Sequence, residues 1–479
     1  MKKLLYLVLL LTSFSSCKKY LDVNTDPNES TDAPPKVLLP TTSVGIAWVN
    51  ANNLGRAASI LVQHNAGVLG DPDDYDVYRL EGTFENQWNN ELYPVIKNLR
   101  IIISKTGETS PAYAGIAKLQ MAYAFSIATD LWGDVPYSEA GVGMTITKPR
   151  FDKQEDIYLG NSTLGIQGLF DLVREGLADL DKASATKPTT DDIIYGGDVT
   201  KWKKAGNTLL LKLAIQVSNV KPDVTKSVIS SVLTSNNYIT NNAEDFEVKF
   251  FAALYNQNPI YAFDYGNRTT EQMMSSRFLN FMRNLNDTVR LAKFYTKPNG
   301  IFQGYNNGDN VVAPLQADRS RYNTYVVGTS GEAPIRLLTN FQRAFILAES
   351  ALLFGTAGDP NALYQEGIRA SMTKTGMTTA EINTYFADNP TIVNLTGTTE
   401  DKRKQIITQK YVAWVGNGIE AYNDYRRTGY PQLVPSLNAV GDDPNVIPKR
   451  LPYSTTESQR NPNQPNPRPR TNEKVWWGL

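Results

Sequence analysis

Along most of this chain apolar residues recur at intervals of three and four, the spacing that lines one face of a helix. Across residues 84–103 they fall at Trp88, Leu92, Val95, Ile96, Leu99 and Ile103. Pro94 stands inside that run. An internal proline removes a backbone hydrogen bond and collides with the preceding turn, so a kink or break is predicted there. Pro111 opens the next helix from a first-turn position, where its missing N–H is an orphan donor anyway. That helix runs to Leu131, carries Ala114, Ala117, Ala122, Ala124 and Ala128, and stops at Gly133. Residues 164–180 and 199–218 form a further pair.

The clearest pair comes late. Residues 340–354 carry Ala344, Ala348 and Ala351 on neighbouring turns and end at Gly355 and Gly358. Asp359 then offers an N-cap and Pro360 a first helical position, and the next helix runs through Leu363, Ile368 and Met372 to Gly376. Small residues facing larger ones let two helices approach closely, an arrangement that resembles a tetratricopeptide hairpin. The hairpins follow no strict period. A last helical stretch covers residues 401–425. Residues 71–82, 185–197, 256–270, 298–332 and 431–470 read as irregular loops, most of them rich in Asn, Asp, Gly, Pro and Tyr. The pattern predicts a mainly α protein: tetratricopeptide-like helical hairpins with a loop-rich irregular region. Nothing in the composition divides it in two.

The N-terminus follows a different pattern. Lys2 and Lys3 precede an unbroken apolar run over residues 4–11, and small residues follow up to Ser16. This is the layout of a secretory signal peptide, and the run is too short to span a bilayer. The single cysteine of the chain, Cys17, stands immediately after it. That is where a bacterial lipoprotein signal places the residue that is lipidated, although Phe14 departs from the usual Leu at the third position before it. The expected organisation is a signal peptide over residues 1–16, a lipidated tether over 17–40, and one domain over 41–479.

Composition narrows the chemistry. The chain has 479 residues, with 48 Lys plus Arg against 48 Asp plus Glu. A net charge of zero gives no global basic field for nucleic acid. One Cys excludes an internal disulfide and cysteine-rich zinc sites, and one His excludes two-histidine metal motifs. Any Ser-His-Asp arrangement would have to use His64, which lies near a helix end. The acidic cluster at residues 71–76 fails the EF-hand pattern, since Tyr75 and Gly82 occupy ligand positions. Ser371 and Lys374 match a Ser-x-x-Lys motif, but at a helix end and sharing Lys374 with a Lys-Thr-Gly match, so the coincidence reads as chance.

Seven blocks, in order, resemble the SusD/RagB family of nutrient-binding outer-membrane lipoproteins, in its SusD-like subgroup. They are CKKYLDVNTDPNES from Cys17, TDLWGDVPYSEA from Thr129, KWKKAGNTLLLKLAIQVSN from Lys201 and LNDTVRLAKFY from Leu285. AESALLFGTAGDPNALYQEGIRASM from Ala348, IITQKYVAWVGNGIEAYNDYRRTGYPQLVP from Ile406 and PKRLPYSTTES from Pro448 complete the set. The family often has Asp-Pro-Arg-Leu where this chain reads Asp287-Thr288-Val289-Arg290-Leu291. The resemblance implies a core of tetratricopeptide-like helix pairs and a lipid anchor at Cys17 in the outer membrane. It further implies capture of an oligosaccharide or other nutrient, and a SusC-like TonB-dependent barrel as partner. It implies no cofactor, no metal and no chemistry on the ligand. A secreted glycoside hydrolase and a protein-binding helical scaffold are the alternatives.

Sugar binding needs aromatic faces beside amide, carboxylate or Arg groups. Two loop regions hold that mixture. One has Asp74, Tyr75, Tyr78 and Arg79, with Trp88 in the following helix. The other has Tyr261, Tyr265, Asn267 and Arg268, with Tyr305, Asn306 and Asn307 further on. Elsewhere, residues 133–137 and 426–431 read as turn and helix-end structure, with Asp134 accepting backbone bonds and Asp424 pairing with Arg427. Trp476 and Trp477 are expected to anchor the tail to the body.

Overall fold

The computed structural model describes residues 33–143 and 145–479. The segment read as signal peptide, Cys17 and the tether up to residue 32 lie outside the described residues. Helix α1 spans Pro35–Ala51 and buries Leu38 and Leu39, so residues 35–40, assigned above to the tether, belong to the folded body. It leads at Asn52 into α2 (Asn53–Leu61). A short helix α3 (Gly70–Asp76) stands where an irregular loop is predicted. Its polar sequence hides it, but Asp71 and Asp73 in the first turn suit the positive end of the helix dipole.

Four helix pairs among the described residues make up the frame. They are α4 (Tyr93–Thr106) with α5 (Pro111–Trp132), and α7 (Val199–Gln216) with α8 (Pro222–Ser235). The others are α10 (Asn340–Phe354) with α11 (Pro360–Lys374), and α12 (Thr399–Ala413) with α13 (Gly418–Thr428). Helix α6 (Leu169–Asp179) packs on α5, and α9 (Ser276–Asn284) lies between the second and third pairs in the sequence. The α5–α6 contact is backbone to backbone: a side chain on Gly115 would meet the Gly176 carbonyl, and one on Gly176 the Gly115 carbonyl.

At Pro94 the chain neither breaks nor ends. A π-helical turn over Gln87–Leu92 runs directly into α4. The wider turn makes room for the proline ring against the carbonyls before it. The stretch predicted as one helix over residues 401–425 is two. Gly416 sits at φ 98°, and Asn417 caps α13 through the Glu420 N–H. Apolar spacing continues across that junction through Val412, Val415 and Ile419 and conceals it. The predicted loop over residues 256–270 contains a helical turn Pro259–Tyr261, capped by Asn258, and a π-helical turn Ala262–Asn267.

Three two-stranded ladders join distant segments: β1 (Asn65–Gly67) with β5 (Gln272–Met274), β2 (Val135–Pro136) with β3 (Phe151–Asp152), and β4 (Phe246–Val248) with β6 (Ile335–Leu338). All are antiparallel, and β1 sets Asn65 opposite Met274.

The frame closes on a buried ionic centre. Asp130, near the end of α5, accepts hydrogen bonds from Tyr158 Oη at 2.7 Å, Asn423 Nδ2 at 2.9 Å and Trp477 Nε1 at 3.0 Å. Lys212 of α7 reaches Glu420 at 3.3 Å. Arg427 binds Glu349 of α10 with two bonds, at 2.7 and 2.8 Å, and Asp424 at 2.9 Å. Burial works to raise the Glu349 carboxyl, but the Arg427 charge and its hydrogen bonds outweigh it and hold the group at about 2. The Asp424–Arg427 pair, the Asp134 turn (its Oδ1 accepts the Gln154 N–H at 3.1 Å) and the tail anchored through Trp477 all match expectation.

Candidate functional site

The β1–β5 ladder brings the two candidate loop regions together. Beneath them lies Asp76, the last residue of α3 and fully buried. Its Oδ2 accepts the Gly67 N–H at 3.1 Å and the Gly308 N–H at 2.8 Å, and its Oδ1 accepts Asn307 Nδ2 at 2.7 Å. Asn307 also donates to the Asn65 carbonyl and accepts from Ser275 Oγ. One carboxylate therefore ties residues 65–76 to residues 305–308. Burial pushes its pKa up to about 7, against those three hydrogen bonds.

Over this node the loops form an exposed face. The Val68 and Leu69 N–H groups both donate to the Glu271 carbonyl. Arg319 donates to the carbonyls of Thr270 and Pro314, and the single Tyr305 hydroxyl proton is shared between those of Asp309 and Val311, at 2.7 and 2.8 Å. These bonds present Leu69, Val311, Val312 and Leu315 to solvent; Val312 is 97% exposed. Exposed Asn267 and Arg268 stand on the adjoining turn, with Arg268 paired to Glu271 at 3.0 Å. Asp74 and Arg79 pair at the surface.

Four predicted contact residues do not offer their rings. Tyr75, Tyr78, Trp88 and Tyr305 are buried. Tyr75 stacks on Phe84, and Trp88 packs edge-on against Trp132 at 5.1 Å. Tyr78, held at φ 64°, turns inward and accepts the Ser436 N–H at 2.7 Å. Each ring fills core volume that the loop above it needs, so these residues support the face from below.

Tyr261 and Tyr265 differ. Both are half-buried, with rings stacked at 5.3 Å and 13°. The Arg321 guanidinium lies 4.0 Å over Tyr265, whose hydroxyl donates to the Tyr322 carbonyl. Next to them is a loop that sequence reasoning passes over. Gln257 Nε2 donates to the Ser330 carbonyl, and a side chain on Gly331 would meet both Gln257 and the Tyr261 ring. This loop exposes Phe251, Leu254 and Tyr255, the last 93% exposed and at φ 70°. The signal was apolar residues crowded into a polar stretch with no helical period.

The groups that could mimic catalytic motifs are occupied. His64 is buried against Phe278 and Tyr411, its Nε2 donates to the Tyr411 carbonyl at 3.2 Å, and burial lowers its pKa to about 3. Lys374 pairs with Asp245 and Glu247, and Ser371 accepts from Arg290. Among the described residues no group of three or more His, Cys, Asp or Glu is placed to hold a metal ion. No helix among them is long and apolar enough to cross a membrane.

The described residues form a mainly helical frame of tetratricopeptide-like hairpins carrying a loop-built face of mixed apolar and polar groups. The profile of the SusD-like family, described as starch-binding and associating with the outer membrane, matches residues 27–454, and the chain belongs to that family. A chitin-binding protein superposes with a TM-score of 0.77 at 25% identity, over 93% of this chain and 100% of its own. A chitin-binding SusD homolog from Flavobacterium johnsoniae gives 0.78 at 22%, over 93% and 98%. A SusD homolog from Bacteroides uniformis gives 0.74 at 23%, over 92% and 99%. Among curated proteins no relative matches.

Proposed function

We propose that this protein is a lipoprotein of the outer membrane, anchored through Cys17, that captures a glycan on the loop face and delivers it to a SusC-like TonB-dependent barrel. The observation that carries the reading is the convergence of the two sequence-distant loop regions on one exposed face, over the Asp76 node. There the stacked Tyr261 and Tyr265 stand near Asn267 and Arg268, and the exposed apolar residues add area for the carbon faces of sugar rings. Membership of a family described as starch-binding, and a chitin-binding structure at 25% identity, support a polysaccharide ligand. The protein binds without chemistry. A hydrolase needs two carboxylates facing each other across an open cleft. Asp76, raised by burial to about 7, and Asp245 and Asp264, raised to about 6, are instead buried in separate nodes.

The test is calorimetry of the mature protein with maltooligosaccharides and chitooligosaccharides, alongside purification from solubilised outer membrane. Saturable binding without sugar release, and a barrel protein in the same complex, are expected. Released sugar, or a protein that binds neither oligosaccharide and purifies alone, would contradict the reading.

A further inference from the structure

We infer that a second cleft, beside the Asp76 node and walled by Arg277 and Asn306, binds a carboxylated sugar ring. The cleft has a volume of about 400 Å³, more than one pyranose fills. Its accessible apolar wall is half-buried Phe281 of α9 and Leu433 with exposed Val434, while Phe278 and Tyr411 are closed off beneath, Phe281 packing edge-on to the Tyr411 ring at 5.3 Å. Amide side chains of Gln63, Asn306 and Gln432 line the same space. Such a set suits a ring with one apolar face and several hydroxyls.

One charge sits in this lining, and it is positive. Arg277 Nε donates to Asn306 Oδ1 at 2.9 Å, and its Nη1 donates to the carbonyls of Val434 and Pro435 at 2.6 and 3.1 Å. Those bonds hold the guanidinium at the cleft wall, while Nη2 has no partner among the described residues. No carboxylate lines the cleft. The acid that acts on Arg277 is Asp76, which already serves four other donors, those of Gly67, Asn307, Gly308 and Ser436. His64, beneath the floor, is neutral and adds no charge. Gln63 is held at φ 64°, a conformation few non-glycine residues adopt, and its side chain bonds the Val434 carbonyl across the cleft. A guanidinium with an unoccupied donor, fixed by neutral partners in a cleft that Phe281 also lines, selects a carboxylate on a flat ligand. A uronic acid residue meets that description. The inference rests on the glycan-binding reading only for the polymer that would carry this residue.

The test uses the mature wild-type protein and three sugar probes, sodium glucuronate, its methyl ester and glucose, with sodium benzoate as a non-sugar acid. Calorimetry is expected to show glucuronate binding roughly tenfold more tightly than the ester, with the preference falling as salt rises. R277Q should abolish the preference, R277K should keep part of it, and F281A should weaken all three probes. Equal binding of acid and ester by the wild type would overturn the inference without any variant. So would tighter binding of benzoate than of glucuronate, which would make the cleft an aromatic-acid site. Y261A separates this cleft from the loop face. It should lower oligosaccharide affinity and leave glucuronate binding unchanged, and a parallel loss of both would refute a separate site.

Discussion

Around Asp130 and Glu349 acidic and basic side chains from α5, α7, α10, α12 and α13 are sealed from water, each charge facing a partner within 4 Å. At the loop face the same residue types pair in the open, as Asp74 with Arg79 and Arg268 with Glu271. The pairs look alike on a contact map but respond differently to loss of a partner. In the core, removing one partner leaves a charge that neither water nor protein solvates; at the surface, water takes over the vacated role. The frame is therefore intolerant of change, and the face can vary its ligand contacts at little cost in stability.

The largest effect is expected from R427A, which removes the bidentate partner of Glu349 and one of the two partners of Asp424, leaving only Arg403 and Lys410 to face them in the core. A loss of about 3–5 kcal/mol is predicted, measured by urea denaturation. Replacing Arg427 and Glu349 together with apolar residues of similar volume should restore much of it. The pair also has a pH signature. The folded-state pKa of Glu349 is about 2 against an ordinary 4.5, so its stabilisation is present above pH 4.5 and is lost as pH falls towards 2. That acid-limb slope should be shallower in R427A.

Next is D76A, which leaves the Asn307 side chain and the Gly67 and Gly308 N–H groups without their acceptor. About 1–3 kcal/mol of stability should go, together with the alignment of the two loop regions. The sign of its pH dependence is opposite. Because the folded pKa is raised from 3.8 to about 7, ionisation costs stability progressively between those values and by a constant amount above them. The wild type should therefore lose stability relative to D76A as pH rises from 4 to 7.

Smaller still, Y261A should weaken oligosaccharide binding by roughly 0.5–1.5 kcal/mol, about two- to tenfold, with the melting temperature nearly unchanged. The smallest effect belongs to R79A, expected to shift stability by about 1 kcal/mol or less by thermal denaturation, since the pair is exposed and screened. A large loss there would erase the distinction between the two regions.

Legibility in the sequence divides along the same boundary. The α10–α11 hairpin is readable to the residue: Asp359 caps α11 through the Ala362 N–H, Pro360 takes the first turn, and Gly355 ends α10 in the left-handed region. Gly133 and Asp134 are equally plain. In the candidate site, four of the six named aromatic residues face inward. Nothing near Tyr78 reports that its hydroxyl will meet Ser436, or near Trp88 that Tyr453 will pack against it at 6.1 Å. The exposed Phe251 and Tyr255 were missed for the converse reason, since an apolar residue in a loop reads as buried until its surroundings are known.

What the chain encodes by itself is what neighbouring residues settle between them: helical spans, caps, stops, the apolar run before Cys17, and the ordered blocks that mark the family. Those features depend on backbone bonds and side chains within one or two turns. Which tyrosines support the face and which present it was decided by the tertiary structure, as was the joining of residues 65–76 to 305–308 through Asp76. Burial is a property of partners hundreds of residues apart, and a side chain's chemical type does not specify which side of a loop will be covered.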